Sequence, residues 1–128
     1  MAEPHAFRRA AEAKDLDLLR ETLADDVVLH SPILFKGFEG RDMAMVVLTN
    51  VIEVFEDFRY LDEVHGDGTV VLRFVAKVDG KFEIEGIDYL TLDADGRVTD
   101  LTVFLRPLKA VNAFNERMVA RLAAAPPA

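Results

Sequence analysis

Residues 69–92 read TVVLRFVAKVDGKFEIEGIDYLTL, and this stretch decides the fold. Its first ten residues carry apolar side chains at every second position, which is the period of a β-strand with one buried face. Asp79-Gly80 follows, and this dipeptide favours the tight turn of a β-hairpin. The second half returns to the same period of two. The stretch therefore predicts two antiparallel strands that share one apolar face of a sheet.

One carboxyl group interrupts that apolar face. In residues 82–92 the alternate positions are apolar, except that Asp88 occupies one of them. Because side chains i and i+2 lie on the same side of a strand, Asp88 is predicted to point into the core or into a hollow within it. A buried carboxyl group without a partner is costly and tends to become protonated. Asp88 is therefore the main candidate for a ligand anchor or an acid–base residue; the alternative is a structural acid paired with Arg73 or a backbone group.

The rest of the chain predicts helices at both ends of a set of strands joined by tight turns. Apolar spacing of three and four residues predicts four helices, at residues 5–14, from Asp15 to Leu23, at 41–54 and from Pro107 to Leu122. Further strands are predicted at 27–31, from 57 and at 97–106, and residues 123–128 are predicted to fray. This order favours an α+β fold in which helices pack on one face of a strongly curved antiparallel sheet.

Composition narrows the class of protein. A chain of 128 residues that is 51% hydrophobic predicts one domain with an adequate core. The absence of cysteine excludes disulfides and thiolate metal sites, and a net charge of −8 argues against nucleic-acid binding. The first residues lack the apolar core of a signal peptide, and no apolar stretch reaches the ~20 residues that cross a bilayer. We therefore expect a cytoplasmic protein that needs no cofactor and does not bind membranes.

Several short motifs along the chain are shared with one known superfamily. They are Asp15-Leu16-Asp17, Leu23-Ala24-Asp25-Asp26-Val27, Ser31-Pro32, Phe38-Glu39-Gly40-Arg41-Asp42, and Ile87-Asp88 with Asp95-Gly96-Arg97-Val98. On these residues the chain resembles the nuclear transport factor 2-like superfamily, which includes SnoaL-like polyketide cyclases and ketosteroid isomerase. The resemblance implies a single SnoaL-like domain over residues 1–128, with an ordered core at about 5–122. It also implies a cone with an internal apolar cavity, and a homodimer formed through the outer face of the sheet.

The resemblance to ketosteroid isomerase extends to only one of three functional positions. Asp88 matches the buried acid of that enzyme's oxyanion hole. The position of the general base holds Ser31, and the position of the tyrosine holds Phe7. An unassisted serine is a poor base near neutral pH, so steroid isomerisation by that route is not expected.

Other residues are candidates for the cavity lining. Tyr60, Ser31 and Asn50 could supply polar contacts beside Asp88. The apolar candidates, which are otherwise core residues, are Phe7, Leu29, Met43, Val47, Phe74 and Phe104. The alternation around His30 leaves its direction open, and the resemblance points it toward the outer face. No metal site is predicted, because the three histidines are scattered without the spacing of metal ligands.

The sequence thus predicts a protein that binds a small apolar or polyketide-like molecule in a closed pocket, with Asp88 anchoring one polar atom. One alternative is an isomerase, cyclase or hydrolase that uses Asp88 as acid or base, which would need a second titratable group near Asp88. The other alternative is a protein-interaction module, which would have a filled interior and an exposed apolar patch.

Overall fold

The computed structural model describes residues 4–124, and it forms four helices and a curved, unclosed sheet of six strands. In chain order the elements are α1 Ala6–Ala13, α2 Leu16–Thr22, β1 Leu23–His30, β2 Phe38–Glu39, α3 Arg41–Val54, β3 Glu56–Gly66, β4 Thr69–Val78, β5 Phe82–Leu92, β6 Val98–Arg106 and α4 Leu108–Ala124. The predicted α+β cone is confirmed. Of residues 123–128, which were predicted to fray, the first two belong to α4. Residues 125–128 lie outside the described part of the chain.

The hairpin predicted from residues 69–92 is the centre of the sheet. Strands β4 and β5 pair without a register shift from Thr69 opposite Thr91 to Val78 opposite Phe82. Three residues, 79–81, connect the paired ends of the strands, and within this turn the N–H of Lys81 donates to the carbonyl oxygen of Val78 at 3.3 Å. Asp79 and Gly80 both have positive φ angles, 57° and 69°, as in the turns that suit the twist of a hairpin. The strand order is β2-β1-β6-β5-β4-β3, so β5 lies between β4 and β6.

Strand β1 departs from the antiparallel arrangement expected from the sequence, because it runs parallel to β6. A parallel pair needs a long crossover, and here α3 and the β3–β5 strands lie between the two strands in the chain. Strand β1 also begins earlier than predicted, at Leu23. Its register with β6 shifts between Leu23 and Val28, and the exposed acids Asp25 and Asp26 lie within that irregular segment. The alternation of apolar and polar residues therefore could not identify the first half of β1.

The helices cover the concave face of the sheet and enclose the core between them. Helix α1 begins where His5 Nδ1 accepts a hydrogen bond from the backbone N–H of Phe7 at 3.0 Å. Helix α2 begins at Asp15, the predicted start, where Asp15 Oδ1 accepts a hydrogen bond from the N–H of Leu18 at 3.1 Å and caps the helix. Phe7, in the first turn of α1, is buried in the core. None of the four helices found between residues 4 and 124 combines the length and the apolar character that crossing a bilayer takes.

Candidate functional site

A cavity of about 140 Å³ lies between the concave face of the sheet and the helices. Most of its lining is apolar, with aromatic rings from α1, β3, β4, α4 and the residue after α3. The polar or charged lining residues are Lys14, Ser31, Tyr60, Asp88 and Asn115. Exposed lining residues such as Lys14, Ile33 and Leu122 mark the opening, whereas Tyr60 and Asp88 are buried. The cavity is therefore an apolar space with its polar anchor inside.

Asp88 lies in the cavity wall because the period of β5 places it on the concave face. Asp88 is 7% exposed, and Leu72 and Val103 lie opposite it on the neighbouring strands β4 and β6. The hydroxyl group of Tyr60 donates a hydrogen bond of 2.8 Å to Oδ2 of Asp88. Among residues 4–124, no other group hydrogen-bonds to this carboxyl group, so Oδ1 is free to meet a ligand atom.

The protonation of the pair follows from burial. Burial raises the pKa of Asp88 to about 7, although the hydrogen bond from Tyr60 opposes this by favouring the charged form. Burial, together with the neighbouring Asp88, raises the pKa of Tyr60 well above its usual value of 10. Tyr60 therefore stays a neutral phenol, while Asp88 can hold or release a proton near neutral pH.

Residues of helix α1 contact the ring and the backbone of Tyr60. The guanidinium group of Arg8 lies 5.8 Å from the centre of the Tyr60 ring, within cation–π range. Arg8 is itself held at 3.4 Å by both Glu12 and Glu63. Glu12 also accepts a 3.4 Å hydrogen bond from the backbone N–H of Tyr60. These contacts fix the ring, and with it the direction of the hydroxyl group that meets Asp88.

Most of the candidate residues predicted from the sequence do line the cavity. They are Phe7, Leu29, Ser31, Val47, Tyr60, Phe74 and Asp88. The oxygen of Ser31 accepts hydrogen bonds from the N–H groups of Ile33 and Leu34, at 3.3 and 3.1 Å, so its main observed role is to hold the turn after β1. That any of these residues contacts a ligand stays a prediction.

Three predicted lining residues lie elsewhere, and their placement in the pocket was wrong. Met43 is 47% exposed on α3, whose cavity side is formed by other residues, including Val47 and Val51. The amide nitrogen of Asn50 donates to the carbonyl oxygen of Val46 in its own helix, and its oxygen accepts from Arg121. In both cases the apolar stripe of α3 is too broad for spacing alone to identify the buried side.

Phe104 is the third misplaced residue. It is 53% exposed and lies opposite Ile87 on the outer face of the sheet. Its neighbour Val103 pairs with Asp88 and lines the cavity instead. Because β6 is apolar on both faces, alternation could not show which side is inward. Phe104 now belongs to the face through which a homodimer is predicted, and the dimer stays a prediction.

The structure also decides two alternatives that the sequence left open. Arg73 points to the outer face, where it pairs with Asp62 and Glu85 at 3.2 and 2.7 Å, so the predicted structural pairing with Asp88 is wrong. His30 does not line the cavity, and its Nε2 lies 3.0 Å from Asp100 Oδ2. Within residues 4–124, no three histidine or acidic side chains converge where a metal ion could be held.

Several lining residues were not predicted as such, including Phe55, Phe58, Phe114 and Met118. Phe114 and Met118 lie four residues apart in α4 and are both buried. Nothing in the helix itself indicates that this face borders a cavity rather than a filled core.

Comparisons with known proteins agree with this architecture. Residues 5–101 match the SnoaL-like domain family. A steroid delta-isomerase from Pseudomonas aeruginosa is 38% identical, with a TM-score of 0.87 over 92% of this chain and 87% of that one. An uncharacterised bacterial protein with a cystatin-like fold, from Silicibacter pomeroyi, is 33% identical, with a TM-score of 0.88 over 93% and 84% of the two chains.

A more distant SnoaL-like protein of unknown function from Burkholderia thailandensis is 16% identical, with a TM-score of 0.65 over 80% of this chain and 90% of that one, and it supports the fold alone. A comparison with the curated proteins finds no match. The family match covers most of the chain, and the two most similar structures above match nearly all of it. The chain therefore belongs to the SnoaL-like domain family, within the nuclear transport factor 2-like superfamily.

Proposed function

We propose that this protein binds a small, largely apolar molecule in its cavity and holds one polar atom of that molecule at Asp88. The observation that carries the proposal is the buried Asp88–Tyr60 pair in a largely apolar space, with one carboxyl oxygen that has no hydrogen-bond donor among residues 4–124. Pockets for small molecules have this character, since apolar walls supply affinity and a few polar groups fix orientation.

The cost of the cavity supports the proposal. An unfilled apolar space of about 140 Å³ lowers stability by about 3 kcal/mol relative to a packed interior. Protein cores are otherwise close-packed. A void and a buried carboxyl group in the same place are two destabilising features together, which is typical of a site kept for function. The void also disfavours the protein-interaction alternative, which expects a filled interior.

The size of the cavity limits the guest. A cavity of about 150 Å³ in another protein holds benzene, so this one suits a single six-membered ring with one small substituent. A four-ring steroid would require the cavity to enlarge several-fold. We therefore expect compounds such as cyclohexanol to bind, with the ring among the apolar side chains and the hydroxyl group at Asp88.

This proposal predicts that Asp88→Asn weakens the binding of cyclohexanol about tenfold at pH 7, because a strong hydrogen bond to the carboxylate is replaced by a weaker one to a neutral amide. Isothermal titration calorimetry measures the change directly. The matched control is Glu83→Gln, the same chemical change on the exposed outer face of β5, and it should leave the affinity unchanged. Equal affinity in wild type and Asp88→Asn would show that Asp88 does not anchor the guest.

A second candidate function is isomerisation of a small unsaturated ketone. The 38% identity to a steroid delta-isomerase and a carboxyl group with a pKa of about 7 favour it. Against it, Tyr60 is the one acid–base group among residues 4–124 that hydrogen-bonds to Asp88, and Tyr60 does not ionise near neutral pH. The base position holds Ser31.

A substrate that contains one six-membered ring can show whether the protein catalyses isomerisation or only binds its guest. If Asp88 acts as an acid–base catalyst, the protein should convert 3-cyclohexen-1-one to the conjugated 2-cyclohexen-1-one, and Asp88→Asn should slow kcat by about 10²-fold or more. The ultraviolet absorbance of the conjugated ketone reports the reaction. If the reaction is no faster with the protein than in buffer alone, the protein does not isomerise such ketones, and ligand binding stays the proposed function.

A further inference from the structure

The hydrogen-bond directions in the cavity narrow the class of guest, on the assumption that the cavity binds one as proposed above. The O–H of Tyr60 is directed at Oδ2 of Asp88, so its proton is already used. Oδ1 of Asp88 has no donor among residues 4–124. When the carboxyl group is ionised, it therefore presents an acceptor to the cavity. A guest completes this arrangement by supplying an N–H or O–H group.

The charges around Asp88 favour a positively charged donor. Helices α3 and α4 and strands β4 and β6 contribute no titratable side chain to the lining, and Lys14 of the α1–α2 turn is exposed at the opening. Arg8, which contacts the Tyr60 ring but does not line the cavity, is accompanied by the two carboxylates Glu12 and Glu63. Within the described part of the chain, the charged form of Asp88 thus has no counter-ion inside the cavity. The net charge of −8 also favours the approach of cations over anions.

Aromatic rings form much of the wall beside this carboxyl group. The ring centres of Phe58 and Tyr60 are 4.8 Å apart, and both rings contact Phe74, at 5.2 and 5.9 Å. Phe55 and Phe114 extend the cluster, with their centres 5.2 Å apart. Aromatic faces attract cations, most strongly where water is excluded. One carboxylate within an aromatic wall is a suitable environment for an alkylammonium group.

We propose that the guest is a small amine, bound as its ammonium ion, which donates to Oδ1 of Asp88 while its ring or alkyl part packs against the aromatic cluster. A neutral ketone is the opposing possibility, since it would need a proton on Asp88. The two classes differ in the sign of their pH dependence. An ammonium ion requires the ionised carboxylate, whereas a ketone requires the protonated acid.

The direction in which affinity changes with pH can be measured, because the pKa of Asp88 is about 7 in the empty cavity. An alkylamine stays charged up to about pH 10, so only Asp88 changes its charge between pH 5.5 and 8.0 among the groups that meet the guest. Cyclohexylamine should then bind about 30-fold more tightly at pH 8.0 than at pH 5.5, in proportion to the ionised fraction of Asp88. Cyclohexanone would show the opposite trend.

The experiment is calorimetric titration of cyclohexylamine, cyclohexanone and cyclohexanol, three guests of equal size, at pH 5.5 and 8.0. We expect cyclohexylamine to bind most tightly at pH 8.0, and Asp88→Asn to remove both its advantage and its pH dependence. Glu83→Gln should behave like wild type. If cyclohexylamine binds no better than cyclohexanol while cyclohexanone tightens at pH 5.5, the amine proposal is wrong although the cavity binds guests. If none of the three binds at either pH, the proposed function itself is wrong.

Discussion

Asp88→Asn is expected to stabilise the folded protein at pH 8 by up to about 4 kcal/mol relative to wild type. The pKa of Asp88 is about 7 in the fold against 3.8 for an ordinary aspartate, because burial disfavours the charged form. Values about three pH units apart correspond to about 4 kcal/mol. Asparagine keeps the shape of the side chain and an oxygen that accepts from Tyr60, but it never has to carry a buried charge.

The sign of this effect sets its pH window. Since folding raises the pKa, the folded state holds a proton that the unfolded state releases. Wild type therefore has its full stability from Asp88 below about pH 4, and loses it progressively as the pH rises toward 7. The gap between Asp88→Asn and wild type should be small at pH 4, grow through pH 5 and 6, and become constant above pH 8.

Urea denaturation followed by circular dichroism from pH 4 to pH 8 measures this gap. The free energies of unfolding of the two proteins should be subtracted at each pH, because other acids also respond to pH. Folding lowers the pKa of Glu63 and of Glu85, so protonation of these acids destabilises both proteins at low pH. Glu83→Gln, on the exposed face of the same strand, should follow the wild-type profile. A gap that is constant across the whole range would mean that Asp88 ionises as freely in the fold as in the unfolded chain.

Gly86→Ala is expected to destabilise the fold by more than about 3 kcal/mol, or to prevent folding. A Cβ atom at Gly86 would lie 2.3 Å from the carbonyl oxygen of Phe104, 2.7 Å from Leu105 Cδ2 and 2.8 Å from Phe74 Cζ. The first of these is a backbone atom of the paired strand, so relief requires β5 and β6 to separate. Overpacking of a core usually costs about 1–3 kcal/mol, and a clash with backbone exceeds that range.

Gly66→Ala is the matched control. It is also a glycine at which no positive φ is required, but its added Cβ would meet nothing closer than Thr69 Cβ at 3.7 Å. This change should be neutral or stabilise by up to about 1 kcal/mol, because alanine restricts the unfolded chain. Both variants are compared by urea denaturation at one pH. Gly86→Ala with wild-type stability would show that the two strands move apart at little cost.

The two predictions describe one property of the site. The void, the buried carboxyl group and the close approach of the strands at Gly86 all place demands on the fold in the region of Asp88. Sites that bind or react commonly lower stability in this way, so a substitution there can raise stability while reducing function. Asp88→Asn should therefore be more stable than wild type and weaker in binding. That combination distinguishes a functional acid from a structural one, whose loss would only destabilise.

Local pattern in the sequence was enough to determine the central hairpin. The alternation in residues 69–92, together with Asp79-Gly80, identified both strands, their turn and the buried face that Asp88 shares. Alternation and hairpin turns are properties of neighbouring residues, so they can be recognised without any partner. The boundaries of α3 and the start of α2 at Asp15 were accessible for the same reason.

Only the tertiary structure decided what surrounds Asp88. The register shift of β3 between Tyr60 and Asp62 leaves Tyr60 facing the cavity and directs Asp62 outward to Arg73. The pairing of β5 with β6 decides that Val103, and not Phe104, lies inside. The hydrogen-bond partner of Asp88, the volume of the cavity and the pKa of Asp88 all depend on contacts between residues far apart in the chain. Periodicity carries no information about such contacts, so the sequence determined that an acid faces inward, and packing determined what that acid meets.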